Sequence, residues 1–449
     1  MTVENILQNV QTYTKADLGY LVFASIVLNP ESRILTTALK NFNQTVPNNL
    51  GDTITFRRRY QYRTQNSLVV QNQAIEQLVQ SLSVTNVSAT DTSFSAQNYI
   101  FNLEDYMDEI GKPRMINMGI QIERDLFTQF TSEFRVNNGQ SPLNGSVVDV
   151  GSGPFRFFAN GWAPGSNVIP VYNDVTQLAR SRVLFRNFGA APDNCLSILA
   201  DTVEPSLVGS ALNQFVVDRN EDYGMTWKIG SQGGCRYFST PLLPTHTAGV
   251  VGNNGDLLTL VSVTENNGII TELTFSGAPG LQANAVVYGD RLQFDASSLY
   301  NFRYLAWNGK QLTQVPVQVR ATANVDSDAG GNVTIPIYPA LNLNSDQPGQ
   351  NIPFTPPAGI TAGILPTHRA GCMMSGDPFY FACPKLPDQP PFPTVVVNDE
   401  TYGHLALRHY YGTVFKQNLM SDVIDTIYGS TLVPENCMAM IFPATDILY

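Results

Sequence analysis

Alternation governs the chain from Gly51 to Arg63, a second extended run follows at Ser81 to Ser95, and a helical period takes over from Pro113. In GDTITFRRRYQYR, Gly51 to Arg63, the even positions carry Ile54, Phe56, Arg58, Tyr60 and Tyr62. The odd positions carry Thr53, Thr55, Arg57, Arg59, Gln61 and Arg63. Successive side chains on a strand point to opposite faces, so this spacing predicts a strand with one mostly apolar face and one basic face. A second extended run is expected over Ser81 to Ser95, with the Gln- and Asn-rich stretch Asn66 to Val79 as the tip of a long excursion between the two arms. Pro113 to Phe134 then reads as a long helix. Pro113 suits a first helical position, where its missing N–H costs nothing. Ile116, Ile120, Phe127, Phe130 and Phe134 fall on one stripe, with Met115, Met118, Ile122 and Leu126 beside it. That is a wide apolar face at helical spacing.

The remaining pattern divides before and after this stretch. Asn5–Val10, Ala16–Leu28 and Ser32–Phe42 read as helices, followed by a turn-rich link from Asn41 to Gly51. Asn137 to Asn167 is rich in Gly, Ser, Asn and Pro and reads as a loop. Tyr172–Phe188 is a helix candidate with Asn173 near its start and Gly189 past its end. Cys195–Ala200 is a short apolar strand. Asp201 and Glu204 are spaced as a capping box for a further helix with Leu207, Val208, Ala211, Leu212 and Phe215 on its apolar stripe. From Leu257 the pattern is almost purely β. Leu257–Val263 and Ile269–Phe275 flank a hairpin signal at Glu265–Gly268, Arg291–Phe294 is another short strand, and Val315–Val325 and Val333–Tyr338 flank a second turn. A small β-barrel is expected here, with the Pro-rich run Asn351–Gly363 as its exit linker. Strand-like runs follow at Phe379–Ala382, Thr394–Val397, Leu405–Phe415 and Met438–Phe442.

One short repeat brackets the β segment. LPTHTAG occupies Leu243–Gly249 and LPTHRAG occupies Leu365–Gly371, identical except for Thr247 against Arg369. A single pair of copies is not a solenoid signature. The copies read as matching incoming and outgoing strands of an inserted unit, with His246, Gly249, His368 and Gly371 at the junctions.

Composition narrows the class. The chain has 449 residues, a length that suggests roughly three domains. Charged residues make up only 14%, against 34 glycines and 28 prolines, which describes a β- and loop-rich protein with a lightly charged surface. The net charge of −11 argues against binding nucleic acid through a broad basic surface. Five widely spaced cysteines read as reduced thiols rather than a disulfide framework. MTVENILQ lacks the features of a signal peptide, and the apolar run Leu18–Leu28 is too short to cross a bilayer.

The search for chemistry returns little. There is no Walker loop, no GxGxxG after a strand, no HExxH and no GxSxG. His404 and His409 lie on a strand-like run at a spacing that does not suit a helical metal pair, so ordinary histidines are the favoured reading. His246 and His368 could bind metal or sense pH, but a structural hydrogen-bonding role is preferred. Asp326–Asn332 opens like a calcium loop but has Ile337 where the closing acid should be, so a hairpin turn is favoured. Glu104, Asp105, Asp108 and Glu109 read as a solvated acidic turn. Arg57, Arg58, Arg59 and Arg63 suit carboxylates on an adjoining subunit better than phosphates. No catalytic, metal or cofactor site is assigned.

The order of parts resembles the major capsid proteins of tailed bacteriophages, an α+β architecture of the Hong Kong 97 type. The nearer likeness is to coat proteins of short-tailed phages that carry an inserted β-barrel. GDTITFRRR is similar to the opening of that family's extended E-loop, and SLSVTNVSATDTSFSAQNYIFNLEDYMDEI resembles its returning arm. Pro113–Phe134 looks like the spine helix, and VTQLARSRVLFRNFG with CLSILADTVEPSLVGSALNQF looks like the start of the axial domain. SGDPFYFACPKLP and the segment from LALRHYYG to CMAMIF resemble the closing part. The long loop tip and the repeated heptad depart from the pattern. The resemblance implies an N-terminal arm over 1–47, an E-loop over 48–100, a peripheral domain over 101–165 with its spine helix at 113–134, and an axial domain beginning at 166–249. It further implies an inserted barrel over 250–362 and a closing part over 363–449. The implied function is a non-enzymatic shell protein of the virion, assembled in the host cytoplasm as hexamers and pentamers around double-stranded DNA. Scaffolding and portal proteins are the implied partners, with no sequence-specific DNA binding, no membrane and no cofactor. Ile54, Phe56, Arg57, Arg58, Arg59, Arg63, Glu104, Asp105, Asp108 and Glu109 become the expected subunit interface. The alternative class is a β-rich phage tail, fibre or receptor-binding protein. A carbohydrate-active enzyme would need paired carboxylates in an aromatic cleft, and the chain has only three tryptophans.

Overall fold

The computed structural model describes residues 39–41, 53–57, 79–95, 112–131, 156–188, 195–203, 228–232, 234–295, 302–305, 312–344, 350–376, 378–384, 386, 394–398, 406–414, 419–433 and 436–444. Within these residues the chain is mostly β, with two large sheets, a closed barrel, two two-stranded ribbons and few helices.

The first sheet is built on Leu419–Leu432, a 14-residue strand to which the sequence reading assigns no element. It pairs antiparallel with Ala406–Val414, with Phe379–Ala382 and, over its length from Leu419 to Tyr428, with Asn86–Ser95. The returning arm expected at Ser81–Ser95 is therefore not free to reach away. Its ten-residue strand lies along its own chain, from Asn86 opposite Tyr428 to Ser95 opposite Leu419. Residues 39–41, expected in a helix, form a strand parallel to Phe379–Phe381. The pairing supplies partners for backbone groups that a short helix would also have satisfied, and tertiary pairing overrides the local pattern.

The second sheet runs Phe157–Ala159, Cys437–Pro443, His368–Met374, Cys195–Ala200, Cys235–Thr240, Lys228–Gln232, with Thr245–His246 added beside His368. Phe157–Ala159 lies inside the stretch read as loop, and pairs parallel with Ala439–Ile441. Its inner strands are buried along their whole length, as sheets covered on both faces must be.

Helix α1, Lys112–Thr131, packs against both sheets, touching the Asn86–Ser95, Leu419–Leu432 and His368–Met374 strands. Its core face is Met115, Met118, Ile122, Leu126 and Phe127, all fully buried. The stripe read from the sequence is thus rotated: Ile116 is 37% exposed and the neighbouring row faces inward. Polar contacts fix that rotation. Arg114 donates from Nη2 to the Thr90 carbonyl at 2.9 Å, Gln129 donates to Ser430 Oγ at 2.6 Å, and the Tyr428 hydroxyl donates to Asp125. Helix α2, Val175–Asn187, starts at the Asp174 N-cap with a capping box closed by Gln177. Only a short 3-10 turn, Asp201–Val203, is described of the helix expected from Asp201.

Between the two heptads, six strands close a barrel in the order Leu257–Asn266, Ile269–Ser276, Asn332–Asn342, Gln318–Ala321, Arg291–Phe294, Thr361–Ile364. The first hairpin turns through Asn267 and Gly268, both at positive φ, the conformation a two-residue turn with the right twist requires. The end of the expected exit linker is instead the closing strand. Thr361–Ile364 pairs with Leu257–Thr259 on one side and with Leu292–Phe294 on the other. A short helix α3, Val250–Asn254, leads into the barrel.

Candidate functional site

Two groups of residues carry the functional expectations: the ribbon with its basic and acidic partners, and the heptad junction. Of the ribbon, Thr53–Arg57 forms a strand antiparallel to Val79–Ser83. The register sets Ile54 opposite Leu82, Phe56 opposite Gln80 and Arg57 opposite Val79. Arg58, Arg59, Arg63, Glu104, Asp105, Asp108 and Glu109 lie outside the described residues, as do the two N-terminal helix candidates and most of the loop tip. The ribbon's root is anchored. Leu82 is buried against Ala382, and a Cβ on Gly429 would meet the Ser83 carbonyl oxygen at 2.3 Å, so the ribbon crosses the long strand with no room for a side chain.

The junction is more completely drawn. The two heptads lie side by side and antiparallel, with His246 in register with His368 and Thr245 with Arg369. Near-identical sequences meeting antiparallel about the histidines place His246 and His368 opposite each other. The two imidazoles are buried, with ring centroids 5.3 Å apart and planes at 53°. Backbone crowding explains the repeated glycines. A Cβ on Gly249 would lie 2.6 Å from the Ala285 carbonyl oxygen, and one on Gly371 would lie 2.3 Å from that of Ile198. Asn253 of α3 joins the copies, accepting from Thr367 N at 3.0 Å and donating to the Ala248 carbonyl at 2.8 Å.

Two consecutive barrel residues grip the two histidines. Asp290 Oδ1 accepts from His246 Nε2 at 2.9 Å, while its Oδ2 accepts from Gly249 N at 3.2 Å and Val287 N at 2.8 Å. Arg291 Nη1 lies 3.0 Å from His368 Nε2, and His368 Nδ1 lies 2.7 Å from the Pro366 carbonyl. A guanidinium only donates, so His368 Nε2 must accept and its Nδ1 must carry the proton. His368 is therefore held neutral in one tautomer. Burial, then the neighbouring His246 and Arg291, push its pKa well below the ordinary histidine range. Arg291 is itself fully buried and in register with the equally buried Arg320. Burial and that second guanidinium bring the Arg291 pKa down to about 9, against the pull of Asp290. Arg320 sits 5.8 Å from the Tyr288 ring centroid and 5.9 Å from that of Tyr338. Close by, Gln318 bridges barrel and sheet: its side chain accepts from Phe157 N and donates to Phe157 O, both at 3.0 Å, much as a neighbouring strand would.

Sequence reasoning found the histidines and glycines but not Asp290, Arg291, Arg320, Asn253 or Gln318. The available signal was an acid–base pair opening an otherwise apolar strand, in DRLQF. The other candidates resolve simply. Asp328 caps its own turn, accepting from Asn332 N at 2.7 Å and Nδ2 at 2.8 Å, which holds its carboxyl below the usual range. Asp326 accepts from Asn284 N at 2.7 Å. His409 is buried in its strand, and His404 is outside the described residues. All five cysteines are buried and free, and burial raises the Cys372, Cys383 and Cys437 thiols. Among the described residues no group of three or more His, Cys, Asp or Glu is placed to hold a metal ion, and no helix is long and apolar enough to cross a membrane.

No protein-family model and no curated protein matches the sequence. Solved phage capsid structures are similar at low identity, each across about nine tenths of both chains. The capsid of Ralstonia phage GP4 is similar at 8% identity and a TM-score of 0.49, covering 92% of this chain and 88% of that one. The cyanophage Pam1 capsid asymmetric unit is similar at 10% identity and a TM-score of 0.41, covering 90% and 88%. The head structure of Helicobacter pylori bacteriophage KHP40 is similar at 9% identity and a TM-score of 0.38, covering 93% and 91%.

Proposed function

We propose that this chain is a major capsid protein of a tailed bacteriophage, whose copies tile an icosahedral head around double-stranded DNA. The observation that carries the reading is one succession of elements. A basic ribbon rooted at Thr53–Arg57 and Val79–Ser83 leads to a ten-residue returning strand and then to a 20-residue helix seated between two sheets. That is the order in which the E-loop, its returning arm and the spine helix follow one another in the Hong Kong 97-type proteins the sequence resembles. The described residues present no catalytic constellation, while the chemistry that is present ties elements together.

In this reading, 1–47 is an N-terminal arm, 48–100 the E-loop, 101–165 the peripheral domain, and 166–249 with 363–449 the axial domain and closing part. Residues 250–362 are assigned to the inserted barrel unit, whose closing strand continues to Ile364. Assembly into hexamers and pentamers uses the basic odd face of the ribbon, Arg57, Arg59 and Arg63 with Arg58 beside them. Its counterpart is the acidic turn Glu104, Asp105, Asp108 and Glu109 of a neighbouring copy. Opposite charges across such a contact speed encounter and set register more than they add affinity. The net charge of −11 suits a container that releases its genome, because few basic groups remain to hold phosphates. A scaffolding protein and a portal are the expected partners, the host cytoplasm the site of assembly and the virion the destination.

Negative-stain electron microscopy of the purified chain tests the reading directly. Closed polyhedral particles, formed alone or on adding the scaffolding protein of the same phage, are expected. Fibres, or discrete monomers under both conditions, would overturn it.

A further inference from the structure

We propose that the His246–His368 junction is a pH-sensitive clasp, which holds the barrel's two connections together at neutral pH and opens when His368 is protonated. The argument starts from donors and acceptors. Both nitrogens of His368 are committed: Nδ1 to the Pro366 carbonyl at 2.7 Å and Nε2 to Arg291 at 3.0 Å. A proton added at Nε2 would leave two donors facing each other and two cations side by side. Among the described residues no carboxylate bonds to His368 to absorb that charge. The groups around it are His246 from the paired strand, Arg291 from the barrel, and Arg320 in register with Arg291. Asp290 is the adjacent carboxylate, and it already accepts from His246 Nε2, Gly249 N and Val287 N. Arg369, the next residue along, pairs with Asp201 at 3.1 Å. His368 is fully buried, so the charge cannot be solvated without opening the junction.

The position gives the clasp leverage. His246 precedes the barrel, His368 follows it, and Asp290 and Arg291 belong to the barrel itself. Four side chains thus join the incoming connection, the outgoing connection and a barrel strand in one buried cluster. Losing the Arg291–His368 bond would remove the side-chain link between that barrel strand and His368, leaving the backbone bond from Leu365 N to the Arg291 carbonyl and the Gln318 bridge to Phe157.

The sign follows from linkage. A histidine whose pKa is lowered on closing contributes stability that is complete above the open-state value, about 6.5, and is lost as pH falls below it. If the closed form takes up no proton, the open-to-closed ratio rises about thirty-fold between neutral pH and pH 5.0. Amide hydrogen exchange of the full-length protein, read by mass spectrometry and corrected for intrinsic rates, measures this. Protection over residues 243–249, 287–292 and 365–371 is expected to drop about thirty-fold at pH 5.0 relative to pH 7.5, with Cys195–Ala200 unaffected. In His368→Gln the amide oxygen still accepts from Arg291 but does not titrate, and the drop should vanish; in His409→Gln it should persist. Imidazole C2-hydrogen exchange on the wild type reads His368 without any substitution. Protection that is flat with pH, a drop that survives in His368→Gln, or a His368 that titrates like an exposed histidine without loss of protection would each overturn the clasp.

Discussion

Gly371 shows how much a single position can carry. It lies in the middle of the second sheet, paired with Met440 on one side, and a Cβ there would sit 2.3 Å from the Ile198 carbonyl oxygen and 2.8 Å from a ring carbon of Phe442. The nearest atom is backbone, so it cannot swing away. Gly371→Ala is expected to cost on the order of 1–3 kcal/mol or more, seen as a lower denaturant midpoint; an unchanged midpoint would show that the two strands can separate freely. The heptad repeat made this glycine visible in the sequence, but not the reason for it. The contact comes from the Cys195–Ala200 strand, far away in the chain. Asp290 and Arg291 are the converse case. In the sequence they are an ordinary charged pair, and only the barrel's closure carries them to the histidines.

Helix α1 illustrates the same division among elements. Its existence and approximate length were legible from apolar spacing, and the described helix Lys112–Thr131 lies within a residue of the expected start. Its orientation was not, because two adjacent apolar rows compete and only the sheets decide between them. The two rows should behave differently. Leu126→Ala removes a fully buried side chain and is expected to cost about 2–5 kcal/mol. Ile116→Ala, on the exposed row, should change stability by no more than about 0.5 kcal/mol. Urea denaturation of both variants compares them, and equal losses would contradict the rotation described here. The Leu419–Leu432 strand escaped notice for a related reason. Ile424, Asp425, Thr426 and Tyr428 are all buried, because neighbours cover both faces, so no polar–apolar alternation marks it.

For the whole molecule, the question is how one copy meets the next. The returning strand Asn86–Ser95 is committed to its own chain, paired along Leu419–Tyr428. In the proposed assembly the basic ribbon is the arm toward a neighbour. Replacing Arg57 and Arg59 together with Glu is expected to leave a folded chain with an unchanged circular dichroism spectrum but to abolish particle formation. Normal-sized particles in electron micrographs of that double variant would show that the basic face is not an essential contact. Raising the salt should weaken the wild-type contact in the same direction, since exposed charge pairs are screened within about 8–10 Å at moderate ionic strength.

Local pattern by itself determined what local physics can determine. The ribbon strand, the long helix and the first barrel hairpin with its Asn267–Gly268 turn all follow from side-chain period and turn chemistry within short windows. Tertiary structure alone decided the rest: which face of α1 is buried, where Asn86–Ser95 finds its partner, and how Thr361–Ile364 closes the barrel. It also decided that Asp290 and Arg291 meet His246 and His368. Each of these depends on groups distant in sequence sharing hydrogen bonds and excluding water, and no period within a short window encodes such partners.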